Sequence, residues 1–195
     1  MRNLIRFVLV VLLAFNLSSV SWPGPVRVGA QLNYYQLADP IFKDVYGKGN
    51  LQYGISFGYS FEQDLHPIAK RSEFYLEADY FADQGNMTVT KEKVSFSIMS
   101  LLIGVRLRII NAGSFKPYLG IGGGAYFFKE DVPARLEDVS ESAREIHVES
   151  GMYIAVTKRI SLDLNFRYAF ANAEPFKELI KLGGMRAGLG IGFRL

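Results

Sequence analysis

From Val26 onward, apolar and polar residues trade places one by one along most of this chain, and such alternation marks a strand because successive side chains point to opposite faces. In the C-terminal segment Met185, Ala187, Leu189, Ile191, Phe193 and Leu195 share one face, and Arg186, Gly188, Gly190, Gly192 and Arg194 share the other. The same rule separates Val26, Val28, Ala30, Leu32 and Tyr34 from Arg27, Gly29, Gln31, Asn33 and Tyr35. It separates Leu51, Tyr53, Ile55, Phe57 and Tyr59 from Gln52, Gly54, Ser56, Gly58 and Ser60, and then Phe74, Leu76, Ala78 and Tyr80 from Tyr75, Glu77 and Asp79. Later segments around Leu101–Leu107, Leu119–Phe127, Val148–Val156 and Ile160–Tyr168 repeat it, so eight strands are predicted. One strand breaks parity: Val94, Phe96 and Ile98 run opposite to Leu101, Ile103, Val105 and Leu107, which predicts a bulge near Met99 or a late strand start.

The connectors differ in length. Asn111–Lys116 and Thr157–Arg159 are short, whereas Ala38–Asn50, Lys129–Glu145 and Ala171–Gly183 are long, with helix-forming composition at Arg135–Glu145 and Pro175–Leu182. Short turns on one side and long loops on the other suit a membrane barrel, whose even strand number places both termini in the periplasm. Phe61–Ser72, with His66 and Pro67, is long for a periplasmic turn.

Alternation alone does not say which face is inside; volume does. An eight-stranded barrel is only just wide enough to be filled by side chains, so the Gly and short polar face fits the lumen and the Phe, Tyr, Leu, Ile and Val face meets lipid. Every backbone group must pair in lipid, hence the sheet must close. The expected fold is all-β, an eight-stranded antiparallel up-and-down transmembrane β-barrel.

The N-terminus carries Arg2 and Arg6, an apolar run from Phe7 to Phe15, and Ser19-Val20-Ser21, the pattern of a cleaved secretory signal peptide over residues 1–21. That leaves 22–195 as one barrel domain, and loss of Arg2 and Arg6 lowers the net charge of +3 to +1. The absence of Cys rules out disulfides and thiolate metal sites. Charge is interspersed with aromatics and Gly, without the basic stripe that tracks a phosphate backbone, so no nucleic-acid partner is expected.

The Lys116-Pro117-Tyr118-Leu119-Gly120-Ile121-Gly122-Gly123-Gly124 strand, the Leu164-Asn165-Phe166-Arg167-Tyr168 strand and the closing Gly190-Ile191-Gly192-Phe193-Arg194-Leu195 resemble the family of small outer-membrane β-barrel proteins typified by outer-membrane proteins A and X. The resemblance covers essentially the whole mature chain. It implies a structural, anchoring or surface-interaction role through external loops, with outer-membrane lipid and lipopolysaccharide, the barrel-insertion machinery reading the C-terminal strand, and an extracellular ligand as partners. Narrow ion-conducting pores and lipid A-modifying enzymes also occur in the family. The family usually ends on an aromatic residue, whereas this chain ends on Leu195 with Phe193 on the same face.

Enzymatic chemistry finds little support in the residues. Gly120–Gly124 is not followed by the helix and acidic residue of a nucleotide site, and neither His66 nor His147 has partners with metal-ligand spacing, so no cofactor or metal is expected. His147 shares a face with Glu149, but the nearest hydroxyl, Ser150, points to the other face, leaving no nucleophile for a triad. The charges of the lumen face are Glu77, Asp79, Glu149 and Asp163 against Arg106, Arg108, Arg167 and Arg186, with Arg27 and Arg194 near the periplasmic rim. Unpaired buried charge is costly, so these eight are expected to form one network that plugs the barrel; the competing reading is a narrow, charge-lined ion path.

Overall fold

A computed structural model describes residues 26–47, 49–61, 68–87, 92–110, 113–131, 139–173 and 180–195; the expected signal peptide over 1–21 and His66 lie outside them. The strands are β1 (Val26–Leu37), β2 (Asn50–Ser60), β3 (Ser72–Asn86), β4 (Lys93–Arg108), β5 (Phe115–Asp131), β6 (Val139–Ala155), β7 (Ile160–Ala173), the two-residue β8 (Ile180–Lys181) and β9 (Gly184–Arg194). Each long strand pairs antiparallel with its sequence neighbours, β9 pairs with both β7 and β1, and the ring of eight closes with β8 beside β7.

The pairing register fixes the barrel's shape. Stepping across the ladder from Arg27 leads through Gly58, Tyr75, Gly104, Gly122, His147, Ala169 and Gly184 to Leu37, ten residues further along β1. With about 3.3 Å per residue and about 4.8 Å between strands, a stagger of ten over eight strands tilts them about 40° and gives an axial rise of about 2.5 Å per residue. The stagger is even, so lumen-facing residues stay lumen-facing around the ring.

The parity change in β4 is not a bulge or a late start. β4 pairs with β3 without interruption from Ser72↔Leu107 to Asn86↔Lys93, and equally with β5 from Ser95↔Asp131 to Arg108↔Tyr118. What changes is which face is apolar. Met99, Leu101, Ile103, Val105, Leu107 and Ile109 are exposed on the outside. Above them the outside carries Ser97, Ser95 and Lys93, while Ile98, Phe96 and Val94 are buried inside. Met99 to Ile109 climbs about 25 Å, the height of the lipid-facing band in such barrels. The switch therefore marks the outer membrane boundary: below it the barrel is apolar outside and polar inside, and above it the arrangement of a water-soluble barrel takes over.

The upper core contains Tyr35, Leu37, Phe42, Phe81, Phe96, Ile98, Leu102, Tyr126, Phe128 and Leu182. Phe42 comes from a short helix, α1 (Pro40–Tyr46), in the β1–β2 connector. Asp39 caps it by accepting from the backbone N–H groups of Ile41 and Phe42, Pro40 sits in the first turn, and Gly47 ends it at φ 94°. The other oxygen of Asp39 accepts from Lys181 N at 3.1 Å, tying this connector to the one before β9. Phe42 meets Phe96 edge-on at 4.9 Å between centroids, and Tyr35 donates to the Leu182 carbonyl at 2.6 Å. Tyr46 donates to Glu130 at 2.8 Å; burial, with that bond, holds its hydroxyl protonated above the usual phenol range.

Within Arg135–Glu145 the described residues, 139–145, are strand and not helix: β6 runs from Val139, with Ser140↔Lys129, Ser142↔Phe127 and Ala143↔Tyr126 pairing it to β5, and residues 135–138 lie outside the described set. Ladder pairing overrides the local helix preference there. Strands β3 to β6 consequently rise as a wall above the membrane boundary; Lys93 stands about 15 Å higher than Met99 on β4. In Pro175–Leu182 the described part includes the strand β8, and residues 174–179 lie outside the described set.

Candidate functional site

Below the apolar core the lumen is filled by charged and aromatic groups supplied by alternate residues of the strands. Glu77 of β3 is the hub. Arg186 reaches its Oε1 at 2.5 Å, Arg167 lies 3.0 Å from each of its oxygens, and Arg106 lies 3.3 Å from Oε2. Glu149 joins the same cluster by accepting from Arg106 Nε at 2.6 Å and Arg167 Nη2 at 2.7 Å. Asp79 takes Arg186 Nη1 at 2.5 Å and Gln31 Nε2 at 3.0 Å. The guanidinium plane can engage two carboxylates at once, which is why arginine populates such a cluster.

Asp163 stands lower and apart from the hub: it accepts from Tyr118 Oη at 3.0 Å and lies 4.0 Å from Arg27. Arg108 is placed differently from the expectation. It donates to the backbone carbonyls of Lys70 and Arg71 at the periplasmic end, because the 3-10 turn Ala69–Arg71 presents its free carbonyls there. Arg27 is drawn inward, donating to Glu73 at 2.8 Å and to Tyr153 Oη at 2.6 Å, and its guanidinium lies 4.2 Å over the Tyr153 ring. Arg106 spans the layers, bonding Tyr153 at 2.9 Å and lying 4.1 Å over the Tyr75 ring.

His147 is fully buried at 0% exposure, between the charge cluster and the apolar core. Its Nδ1 meets Glu145 at 2.7 Å and its Nε2 pairs with the Tyr75 hydroxyl. The orienting carboxylate is thus Glu145 and not Glu149, which is occupied by the arginines. The pair faces the lumen, not lipid, and the described residues contain no group of three or more His, Cys, Asp or Glu able to hold a metal ion.

The lumen glycines make this arrangement fit. A Cβ on Gly120 would stand 2.7 Å from Glu149 Oε1, and one on Gly122 would stand 2.7 Å from both His147 Nε2 and Tyr75 Oη. Sequence reasoning missed Glu73, Tyr75, Tyr118, Tyr153 and Glu145 as members. Glu73 shares the parity of Glu77 and Asp79, so alternation carried that signal; Glu145 was hidden by its helix-like surroundings.

The sequence profile of the outer membrane protein β-barrel domain family matches residues 7–193, and this chain belongs to that family. It is an outer-membrane β-barrel protein of the Gram-negative type. Among solved structures it is similar to neisserial surface protein A of Neisseria, at 16% identity and a TM-score of 0.63, covering 88% of this chain and 99% of that one. It is similar to the N-terminal barrel domain of OprF from Pseudomonas aeruginosa, at 17% identity and 0.53, covering 88% and 98%. It is also similar to the attachment invasion locus protein Ail of Yersinia pestis, at 14% identity and 0.55, covering 89% and 100%. At these identities the likeness is one of fold. No curated protein matches the chain significantly.

Proposed function

We propose that this protein is a closed barrel that displays the β3–β6 wall and its loop tips at the cell surface for contact with an extracellular ligand. The observation that carries the reading is the double filling of the lumen: an arginine–carboxylate cluster in the membrane and an aromatic core under α1 above it. A lumen filled twice serves a display scaffold better than a conduit. The wall supplies the rigid support that recognition loops use. Neisserial surface protein A and the attachment protein Ail share the fold, and their names describe surface and attachment proteins.

Outer-leaflet lipid is the proposed seat. Arg144 and Lys129 are exposed on β6 and β5 just above Ile146 and Phe127, at the height of lipopolysaccharide phosphates. Phe193 stands at the end of the closing strand with Leu195 just past it, where the insertion machinery would read it.

The test uses cells displaying the full chain and a variant in which residues 132–138 are replaced by a Gly-Ser linker of equal length. Binding is measured on arrays of immobilised glycosaminoglycans and matrix proteins. Binding by the wild type and its loss in the linker variant are expected; a wild-type signal equal to that of cells lacking the protein across the array would reject the display reading.

A further inference from the structure

Strand β9 lends the middle of the lumen few side chains: Gly188, Gly190 and Gly192 face inward between Arg186 and Arg194. In the ladder Gly188 is flanked by Asn33 of β1 on one side and Asn165 of β7 on the other. Both asparagines are buried, at 1% and 7% exposure. Neither the amide oxygen nor the amide nitrogen of either has a hydrogen-bond partner among the described residues, and the same holds for Arg186 Nε, two residues from Gly188.

Five polar atoms without partners around one glycine do not fit a dry interior. A buried donor or acceptor left unmade costs about 1–3 kcal/mol, and native proteins satisfy nearly all of them. The two amides cannot close the account on each other, because Arg186 Nε would still lack an acceptor unless one amide oxygen turned to it. Nor is the mixture suited to an ion. A cation would face Arg186 Nε and two NH₂ groups, and an anion would face two amide oxygens. Water donates and accepts, and a buried water makes about three hydrogen bonds, so five atoms call for at least two molecules.

We propose that the β1–β9–β7 seam binds a cluster of at least two ordered waters at Gly188, held by Asn33, Asn165 and Arg186 Nε. The cluster satisfies Arg186 Nε, while the terminal nitrogens of the same guanidinium hold Asp79 and Glu77. It therefore links the seam where the barrel closes to the central charge cluster through solvent, where the opposite wall does so through tyrosines. The inference does not depend on the surface-display reading.

A crystal structure of the refolded wild-type barrel at a resolution that shows ordered solvent tests it. Two or more peaks within about 2.7–3.2 Å of the two amides and Arg186 Nε are expected. In detergent micelles, the side-chain amide protons of Asn33 and Asn165 should show cross-relaxation with water, and the N33L/N165L variant should lose those signals. Amides bonded directly to protein groups with no solvent between them would overturn the proposal, as would an absence of water cross-peaks in the wild type. A single anomalous peak at Gly188 in bromide-soaked crystals would replace water with an anion.

Discussion

Glu77 accepts from three guanidinium groups in the middle of the lumen, so the effect of removing its charge is set by what remains. Glu77→Gln leaves Arg106 and Arg167 with Glu149 but strips Arg186 of one of its two carboxylates, and breaking a buried pair in this way costs about 3–5 kcal/mol. The urea midpoint of the detergent-solubilised barrel, read from the gel shift between folded and unfolded forms, should fall accordingly. Asp163→Ala should cost less, about 1–3 kcal/mol, because the side chain accepts one tyrosine bond and stands 4.0 Å from Arg27. The reverse order of the two midpoints would show that the hub lies lower in the barrel. Gly122→Val tests the space argument: its Cβ alone would crowd His147 and Tyr75, and overpacking of this kind costs about 1–3 kcal/mol. Parity alone placed the glutamates and arginines on the inner face, but which of them meet could not be read, since that depends on stagger and on the reach of each guanidinium. Arg108 shows the difference: it has the correct face, yet its height leaves it among carbonyls at the rim.

Among the elements, α1 was the least legible from sequence, because a seven-residue helix, Pro40–Tyr46, is itself too short to display an amphipathic pattern. Its role follows from Phe42, which enters the upper core between Phe96 and Phe81. Phe42→Ala should remove about 3–5 kcal/mol of packing from the cap. Limited proteolysis of intact cells should then cut within residues 38–50 faster than in the wild type, with the membrane-embedded part left whole; an unchanged cutting rate would mean that α1 is held by Asp39 and Tyr46 instead. The raised Tyr46 ionisation gives this clasp a pH signature. A tyrosine whose folded pKa exceeds its unfolded value contributes fully below about pH 10 and loses that contribution as pH rises towards the folded value. Protection of residues 38–50 should therefore be flat through neutrality and weaken only in strong alkali. Strand β4 teaches the converse lesson: its parity break was visible in the sequence, but its meaning required knowing that the inside above the membrane is as apolar as the outside within it.

At the scale of the whole molecule, two seals in series predict electrical silence. Purified wild-type monomer in planar bilayers should give at most rare, small current steps, since eight-stranded interiors are about filled by their own side chains; steady porin-like conductance would overturn the closed reading. Lipopolysaccharide should raise the unfolding temperature of the wild type and do so less for a Lys129→Ser, Arg144→Ser double variant, with equal stabilisation arguing against a phosphate seat on that rim. The inversion of apolar faces at Met99 also works as a depth gauge. Raising the barrel by two residues, about 5 Å, would lift Met99 into the headgroups, and sinking it by the same step would drag Ser97 into the acyl chains while the buried Ile98 and Phe96 gained nothing from the lipid around them. The chain thus carries its own vertical datum, and in a bilayer thicker than its band the lipid, more than the protein, must yield.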